Sequence, residues 1–125
     1  MQTDASNHGV GAVLCQKDEK GEEHPIQYIS RKLLPRESRY STTERECLAV
    51  VWAVETLKPY LYGREFTVQT DHNPLVWLSS MRGDNRRLER WSFILQEYQI
   101  KIEHKKGSEN GNADALSRMW ESEVR

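Results

Sequence analysis

The alternation of apolar and polar residues predicts strands in the first third of the chain. Residues 9–16 (GVGAVLCQ) form a small apolar run that suits a packed strand, and residues 24–33 alternate between apolar and polar positions. Between them, residues 18–23 (DEKGEE) read as a polar turn with a glycine. We therefore predict three short strands joined by tight turns between Asp4 and Leu33.

From Ser41 onward the apolar residues recur three and four positions apart, which is the spacing of an amphipathic helix. The apolar positions are Cys47, Val50, Val51, Val54, Leu57 and Leu61. We predict one helix that begins with Ser/Thr residues and ends just before Gly63, with Pro59 kinking or tightening its last turns. Later segments predict a strand over 65–71, a short helix over 73–81, a long helix over 86–98, a strand over 99–105 and a last helix from about residue 112.

The resulting order is β-β-β-α-β-α-α-β-α. The later strands arrive through helices, as parallel strands require. This order predicts an α/β fold with a mixed five-stranded sheet and helices on both faces. The length of 125 residues fits a single domain over 1–125, with a core at about 2–118 and a C-terminal tail at 119–125.

Composition narrows the class of protein. Charged residues make up 30% of the chain, but four Trp, five Tyr and several aliphatic clusters favour a folded domain over a disordered one. We expect an intracellular protein, because neither a signal peptide nor an apolar stretch of membrane-spanning length is evident. Cys15 and Cys47 lie in apolar runs, so we expect buried free thiols in a reducing compartment, with a disulfide as the alternative. The net charge of −1 is not typical of a nucleic-acid-binding protein.

The tripeptide QTD occurs twice, and each copy puts an acid directly after strand-like residues. Asp4 ends the first copy and Asp71 ends the second. In α/β sheets, ligands bind at the carboxyl ends of parallel strands. If the two strands are neighbours, the two carboxylates repel each other unless a cation lies between them. Mg²⁺, which prefers hard oxygen ligands, is the natural candidate.

Two further acids lie near predicted helix starts. Glu46 is in the first turns of the helix that begins near Ser41, and Asp114 opens the last helix. Each has a structural alternative. Thr43-x-x-Glu46 fits a capping box, and Asp114 could favour the helix dipole. Asp4 could equally be a turn residue.

Four segments, in this order, resemble the ribonuclease H domain of Ty3/gypsy-type (LTR retrotransposon) reverse transcriptases: TDASNHGVGAVLCQ, STTERECLAVVWAVE, QTDHNPLVWL and NADALSR. The resemblance runs from about Gln2 to Arg118. It implies a ribonuclease H-like fold and an endonuclease that hydrolyses the RNA strand of RNA–DNA hybrids, leaving 5′-phosphate products. It also implies a polymerase or connection domain upstream, an integrase downstream, and a location in the cytoplasm or a virus-like particle.

The resemblance further implies two Mg²⁺ ions, with Mn²⁺ as a substitute, held by Asp4, Glu46, Asp71 and Asp114. Two metals about 3.5–4 Å apart can clamp the attacking and leaving oxygens of an in-line phosphoryl displacement. Asp4 would bridge both ions, and Asp114 would help hold the one that activates water. Glu46 and Asp71 would hold the ion at the leaving 3′ oxygen. Such a protein would recognise its hybrid by shape and by 2′-hydroxyls.

Other candidates follow from position relative to these acids. Thr42, Thr43 and Asn73 occupy places that contact the minor groove in related enzymes. Arg86 and Arg90 share a helix face, which is either a phosphate-binding surface or a solvated one, and Lys105 flanks the last strand. His104 precedes Asp114 by ten residues, so it is either an auxiliary catalytic histidine or a packed strand residue. The aromatic residues expected in the core rather than in base stacking are Trp52, Tyr60 and Trp77.

Two alternative functions remain open at the level of sequence. The first is a catalytically weak or inactive domain that binds nucleic acid or supports a polymerase, since only Met1–Thr3 precede Asp4 and the first strand is short. The second is a nuclease of the same fold with another substrate, such as duplex RNA. The sequence does not indicate an oligomeric state.

Overall fold

The computed structural model describes residues 1–70 and 86–104. Five strands form one sheet in the order β3-β2-β1-β4-β5. Strand β2 runs antiparallel to β1 and β3, whereas β1, β4 and β5 are mutually parallel. The elements are β1 (Gln2–Ala5), β2 (Gly9–Lys17), β3 (Glu23–Lys32), a 3₁₀ turn (Glu37–Arg39), α1 (Thr42–Thr56), α2 (Lys58–Leu61), β4 (Glu65–Thr70), α3 (Arg86–Gln96) and β5 (Gln99–His104).

This topology confirms the predicted mixed five-stranded sheet. Strands β2 and β3 are nine and ten residues long, so they are longer than the short strands expected. The predicted helices at 73–81 and from residue 112 lie outside the described residues. No helix in the described ranges has the length and apolar character needed to span a membrane.

The first long helix is divided in two, which corrects the prediction of one helix that ends just before Gly63. Helix α1 ends at Thr56, and Leu57 then leaves the helical geometry with φ −98° and ψ 15° before α2 begins. Proline cannot donate a backbone hydrogen bond and its ring clashes with the preceding turn, but it is tolerated in the first turn of a helix. Pro59 therefore belongs to the start of α2 rather than to a kink in one helix.

The main core lies between the sheet and α1, which packs against both β1 and β2. Val10, Ala12 and Leu14 of β2 join the buried residues of α1, and Leu88 and Trp91 add the apolar side of α3. Val13, on the opposite face of β2, is also fully buried. Both faces of β2 are therefore buried from Gly9 to Leu14.

Some side chains expected in the core are not buried. Tyr60 is 51% exposed, so its assignment to the core is wrong, whereas Trp52 is half-buried against the core as expected. Trp77 lies outside the described residues. Both cysteines are free thiols, but only Cys47 is fully buried, and Cys15 is half-buried.

Strand β1 is shorter than its neighbours at its N-terminal end. The α-amino group of Met1 donates to the carbonyl oxygen of Thr67 at 2.6 Å, and β1 pairs with β2 only as far as Val13. Beyond Met1, residues 14–17 of β2 and 65–67 of β4 line a cavity of about 460 Å³. The centre of the sheet is therefore open at the end opposite to Asp4.

Candidate active site

The two QTD tripeptides lie on adjacent parallel strands. Gln2 of β1 is paired in register with Gln69 of β4. Thr3 and Thr70, the next residue in each strand, are both buried. The prediction that the two QTD strands lie side by side is therefore confirmed for the described part of each tripeptide. Asp71, the last residue of the second one, lies outside the described residues.

Asp4 is a strand residue and not a turn residue, so the alternative of a turn role is wrong. It lies within β1, is only 3% exposed, and is paired in register with Gly11 of the neighbouring strand β2. A carboxylate is rarely buried to this extent without a compensating partner, because removal from water disfavours its charge. The sheet therefore holds the Asp4 carboxylate out of the solvent near the carboxyl end of β1.

Ser6 fixes the chain direction directly after Asp4. Its hydroxyl oxygen accepts hydrogen bonds from the backbone N–H groups of His8 and Gly9, both at 3.2 Å. Its own N–H donates to the Gly9 carbonyl at 2.9 Å, which closes the turn from β1 to β2. Sequence reasoning missed this role, although the signal was present as a serine followed by Asn-His-Gly.

Glu46 is the fifth residue of α1 and is 6% exposed. The alternative in which it closes a capping box with Thr43 is wrong. The N-cap is Ser41, whose hydroxyl accepts from the Glu44 N–H at 3.1 Å, while the Ser41 N–H donates to the Glu44 carboxylate at 3.4 Å. Glu44, and not Glu46, therefore closes the capping box of α1.

The chemistry of these donors suits a hard divalent cation. Asp4 and Glu46 both offer carboxylate oxygens from well-packed elements, and α1 packs directly on β1. Asp114, like Asp71, lies outside the described residues. The described half of the predicted ligand set thus fits a metal such as Mg²⁺ in donor type and burial.

The parallel strands β1, β4 and β5 end at the same edge of the sheet. His104 is the last residue of β5 and is paired in register with Thr70 of β4. Its side chain is exposed, so the interpretation of His104 as a packed strand residue is wrong. The histidine lies at the carboxyl edge, next to the strand that precedes Asp71.

The predicted nucleic-acid contacts lie at the starts of two helices. Thr42 is exposed at the start of α1, where its hydroxyl accepts from Arg45 at 3.4 Å, and Thr43 is half-buried. Arg86 and Arg90 are both exposed in the first turns of α3. Asn73 and Lys105 lie outside the described residues.

A group of side chains of metal-ligand type lies at the opposite end of the strands, around the β2–β3 turn. Asp18, Glu22 and His24 bring ligand atoms within 4.8 Å of one another around the β2–β3 turn, and all three residues are exposed. The hydrogen bond from His24 lowers the pKa of Asp18, with help from backbone N–H groups. This arrangement is accounted for by the turn itself, because the Asp18 carboxylate also accepts from the Lys20 and Glu22 N–H groups at 2.9 Å.

Comparison with known proteins identifies the family. The family described as "RNase H-like domain found in reverse transcriptase" matches residues 1–98. The chain is 50% identical over 119 residues to the Retrovirus-related Pol polyprotein from transposon 297 of Drosophila melanogaster, covering 95% of this chain and 11% of the polyprotein. It is 45% identical over 120 residues to the corresponding polyprotein from transposon gypsy, with the same two coverages.

Among solved structures, LC11-RNase H1 in complex with an RNA/DNA hybrid has the same fold. The TM-score is 0.72 at 20% sequence identity, over 99% of this chain and 97% of that one. The resemblance to Ty3/gypsy-type ribonuclease H domains, drawn from the four sequence segments, is confirmed by the gypsy polyprotein and the family match. This chain therefore belongs to the RNase H-like domains found in reverse transcriptases.

Proposed function

We propose that this domain is a ribonuclease H that hydrolyses the RNA strand of RNA–DNA hybrids with two divalent cations. The observation that carries the proposal is the register of β1 and β4, which pairs Gln2 with Gln69. Asp4 and Asp71 each follow these glutamines by two residues. Continuing that register by two residues would put the two carboxylates side by side, where they would need a cation between them.

We assign the metal ligands to Asp4, Glu46, Asp71 and Asp114. The burial of Asp4 and Glu46 supports this, because a buried carboxylate retains its charge most readily beside a cation. When bound, two divalent cations would supply activation of the attacking water and stabilisation of the leaving oxygen. The task of the protein is to hold the four carboxylates rigidly, with the Ser6 turn fixing the end of β1 and the Ser41–Glu44 cap fixing the start of α1.

We propose that the hybrid lies across the helix starts beside this site. Thr42, Thr43 and Asn73 would contact the minor groove, where 2′-hydroxyls distinguish RNA from DNA. Arg86, Arg90 and Lys105 would contact phosphates. The exposure of both arginines supports this assignment. Because the net charge is only −1, binding by the isolated domain should be weak and strongly dependent on salt.

We also propose an auxiliary role for His104. Its exposed side chain at the end of β5 is consistent with a group that moves a proton at the edge of the site. An imidazole side chain can act as a general acid or a general base when it lies within hydrogen-bond reach of a reacting group. The test is the cleavage rate of His104→Ala, which should fall while binding of the hybrid is retained.

The protein context supports the same activity. The chain spans 11% of the length of each of the two polyproteins described above, so we infer that it works with a polymerase or connection domain upstream and an integrase downstream. LC11-RNase H1, whose fold it shares, was solved with an RNA/DNA hybrid. These relationships favour the hybrid over duplex RNA as the substrate.

The test is a cleavage assay on three duplexes of one sequence: an RNA–DNA hybrid, DNA only, and RNA only. Each is incubated with Mg²⁺, Mn²⁺ or a chelator. We expect cleavage of the hybrid alone, only with metal, and 5′-phosphate ends on the RNA products. Asp4→Asn and Glu46→Gln should each reduce the rate by about a hundredfold or more, whereas Glu55→Gln, an exposed residue of the same helix, should not.

Two results would contradict the proposal. Binding of the hybrid without cleavage under either metal would make this a nucleic-acid-binding or structural domain. Cleavage of duplex RNA at the rate of the hybrid would make it a nuclease of broader substrate range. Both outcomes are read from the same gel, with circular dichroism used to verify that every variant is folded.

A further inference from the structure

Met1 lies inside the sheet and not on its surface. It is buried, and its α-amino group donates to the Thr67 carbonyl oxygen of β4. The cavity beyond Met1 is bounded by residues 14–17 of β2 and 65–67 of β4, and β1 pairs in register with neither of these segments. A polypeptide that precedes Met1 would therefore begin its path in this cavity.

One buried polar atom at this cavity lacks a hydrogen-bond donor. Gln69 lines the cavity and is 8% exposed, and its side-chain oxygen Oε1 accepts no hydrogen bond from the residues that the structure describes. The same is true of Oε1 of Gln2, its register partner in β1. A buried acceptor without a donor is unfavourable. The N–H groups of an entering polypeptide are donors of the missing kind, so the cavity suits a peptide chain better than an apolar ligand.

Two large apolar side chains at the cavity are half exposed. Ile26 of β3 and Tyr60 of α2 both line it, and they are 48% and 51% exposed. Tyr62 is also exposed, but its ring packs edge-on against Tyr98, and the Lys58 ammonium lies 5.1 Å from its centroid. In the described part of the chain, Tyr60 has no aromatic or cation contact of this kind. Ile26 and Tyr60 thus leave apolar surface open beside the path of the chain.

The charged residues that line the cavity indicate the class of partner. The positive ones are Lys17 and Arg64, and the negative ones are Glu23, Glu65 and Glu103. A nucleic acid requires an excess of positive charge, because carboxylates repel phosphates. An apolar centre among charges of both signs is instead typical of a protein interface. The partner that fits this surface is therefore a protein.

We propose that Ile26 and Tyr60 form a docking surface for the domain that directly precedes this one in a polyprotein. The inference goes beyond the proposed function and rests only on its polyprotein context, since the chain spans 11% of its relatives from transposons 297 and gypsy. The preceding domain would be tethered at the same cavity. A short tether gives an effective concentration of about millimolar, so a small apolar contact is sufficient to hold the two domains together. Docking here would fix the orientation of that domain relative to Asp4, near the other end of β1.

The test compares this chain with a longer protein that also contains the domain encoded directly before Met1. Hydroxyl-radical labelling, read by mass spectrometry, measures the accessibility of single side chains. Labelling of Ile26 and Tyr60 should fall at least about fivefold in the longer protein, because side chains in the core of an interface are almost fully buried. Phe93 is the control, since it is 60% exposed on α3 and does not line the cavity, and its labelling should not change.

A double variant tests whether the two side chains hold the domains together. Ile26→Thr/Tyr60→Ser removes apolar groups at exposed positions, and threonine retains the β-branched shape that favours a strand. In the longer protein this variant should increase the radius of gyration measured by small-angle X-ray scattering, whereas Phe93→Ser should not. Circular dichroism verifies folding. If the double variant does not fold, Tyr60→Ser alone should give a smaller increase, and no increase would contradict the proposal.

Two labelling results would overturn the proposal. The first is unchanged labelling of Ile26 and Tyr60 in the longer protein. The second is protection that is already present in the isolated chain and disappears on dilution, because the partner would then be a second copy of this chain. Neither result depends on cleavage. A longer protein that cuts the hybrid without this protection keeps the proposed nuclease and loses the docking surface, whereas a protected protein that cuts no hybrid does the reverse.

Discussion

Glu37 should be among the most destabilising single truncations away from the active site. It lies in the 3₁₀ turn between β3 and α1 and is 5% exposed. Its carboxylate accepts hydrogen bonds from both Nη atoms of Arg31, at 2.7 and 3.1 Å. The same carboxylate accepts the Leu34 N–H at 2.8 Å. Arg31 also lies over the Trp52 ring of α1, at 5.9 Å from the centroid. This clamp therefore ties the end of β3 to the approach to α1.

Glu37→Ala would leave a partly buried guanidinium and a backbone N–H without their acceptor. Breaking a buried ion pair costs about 3–5 kcal/mol, and the Arg31 side chain is 29% exposed, so water recovers part of the loss. We expect a destabilisation of about 2–3 kcal/mol, or roughly 10 °C in melting temperature for a domain of this size. Glu19→Ala, an exposed residue of the β2–β3 turn, should change stability by less than about 0.5 kcal/mol.

The effect should depend on pH with a defined sign. Burial raises the pKa of Glu37, but hydrogen bonds from Arg31 and the Leu34 N–H lower it more, so the folded pKa is below the ordinary value. As the pH falls below about 4.3, Glu37 takes up a proton in the unfolded state before it does so in the folded state. The contribution of the clamp to the free energy of unfolding is therefore lost as the pH falls further. Urea unfolding of wild type and Glu37→Ala at pH 7, 5, 4 and 3.5 measures this. The reasoning would be refuted if the difference in unfolding free energy between wild type and Glu37→Ala did not narrow below pH 4. It would also be refuted if Glu37→Ala were as stable as Glu19→Ala at pH 7.

Three further predictions concern the two thiols, Asp71 and the cavity beside Met1. Cys47 should react with a thiol reagent only on unfolding, whereas half-buried Cys15 should react in the native state; equal native rates by mass spectrometry would contradict this. Asp71→Asn should abolish hybrid cleavage with a melting temperature at or above wild type, since carboxylate repulsion is relieved; a wild-type cleavage rate would remove Asp71 from the ligand set. Four apolar residues added before Met1 should fill the cavity between β2 and β4. Each buried Val or Leu should add roughly 1.5–3 kcal/mol to the free energy of unfolding, less the conformational entropy lost when the added residues become ordered. The melting temperature should then exceed that of a Gly-Ser extension of equal length, and equal values would show that the cavity does not accept a strand.

The sequence by itself determined the order of the described strands and helices. Burial on one face imposes a period of two on strands and of about 3.6 on helices, so residues 24–33 and the stretch after Ser41 indicate their secondary structure locally. Residues 9–16 indicate a strand by a continuous apolar run, because that strand is buried on both faces. The repeated QTD tripeptide likewise indicated two neighbouring strands, and their pairing at Gln2 and Gln69 bears this out. The family could also be identified from four short segments, because each contains an acidic residue at the end of a predicted strand or near the start of a predicted helix.

Partnerships between distant residues were decided only in the tertiary structure. Both Thr43–Glu46 and Ser41–Glu44 have the spacing of a capping box, and the choice depends on the residue at which α1 begins. Arg87 lies beside Arg86 in the sequence, but only the packing of α3 on α1 pairs it with Glu44, 43 positions earlier in the chain. Local propensity fixes which residues share a face, but it carries no information about which element will cover that face. That choice is made only when α3 packs on α1 and Arg87 reaches the capping carboxylate of Glu44.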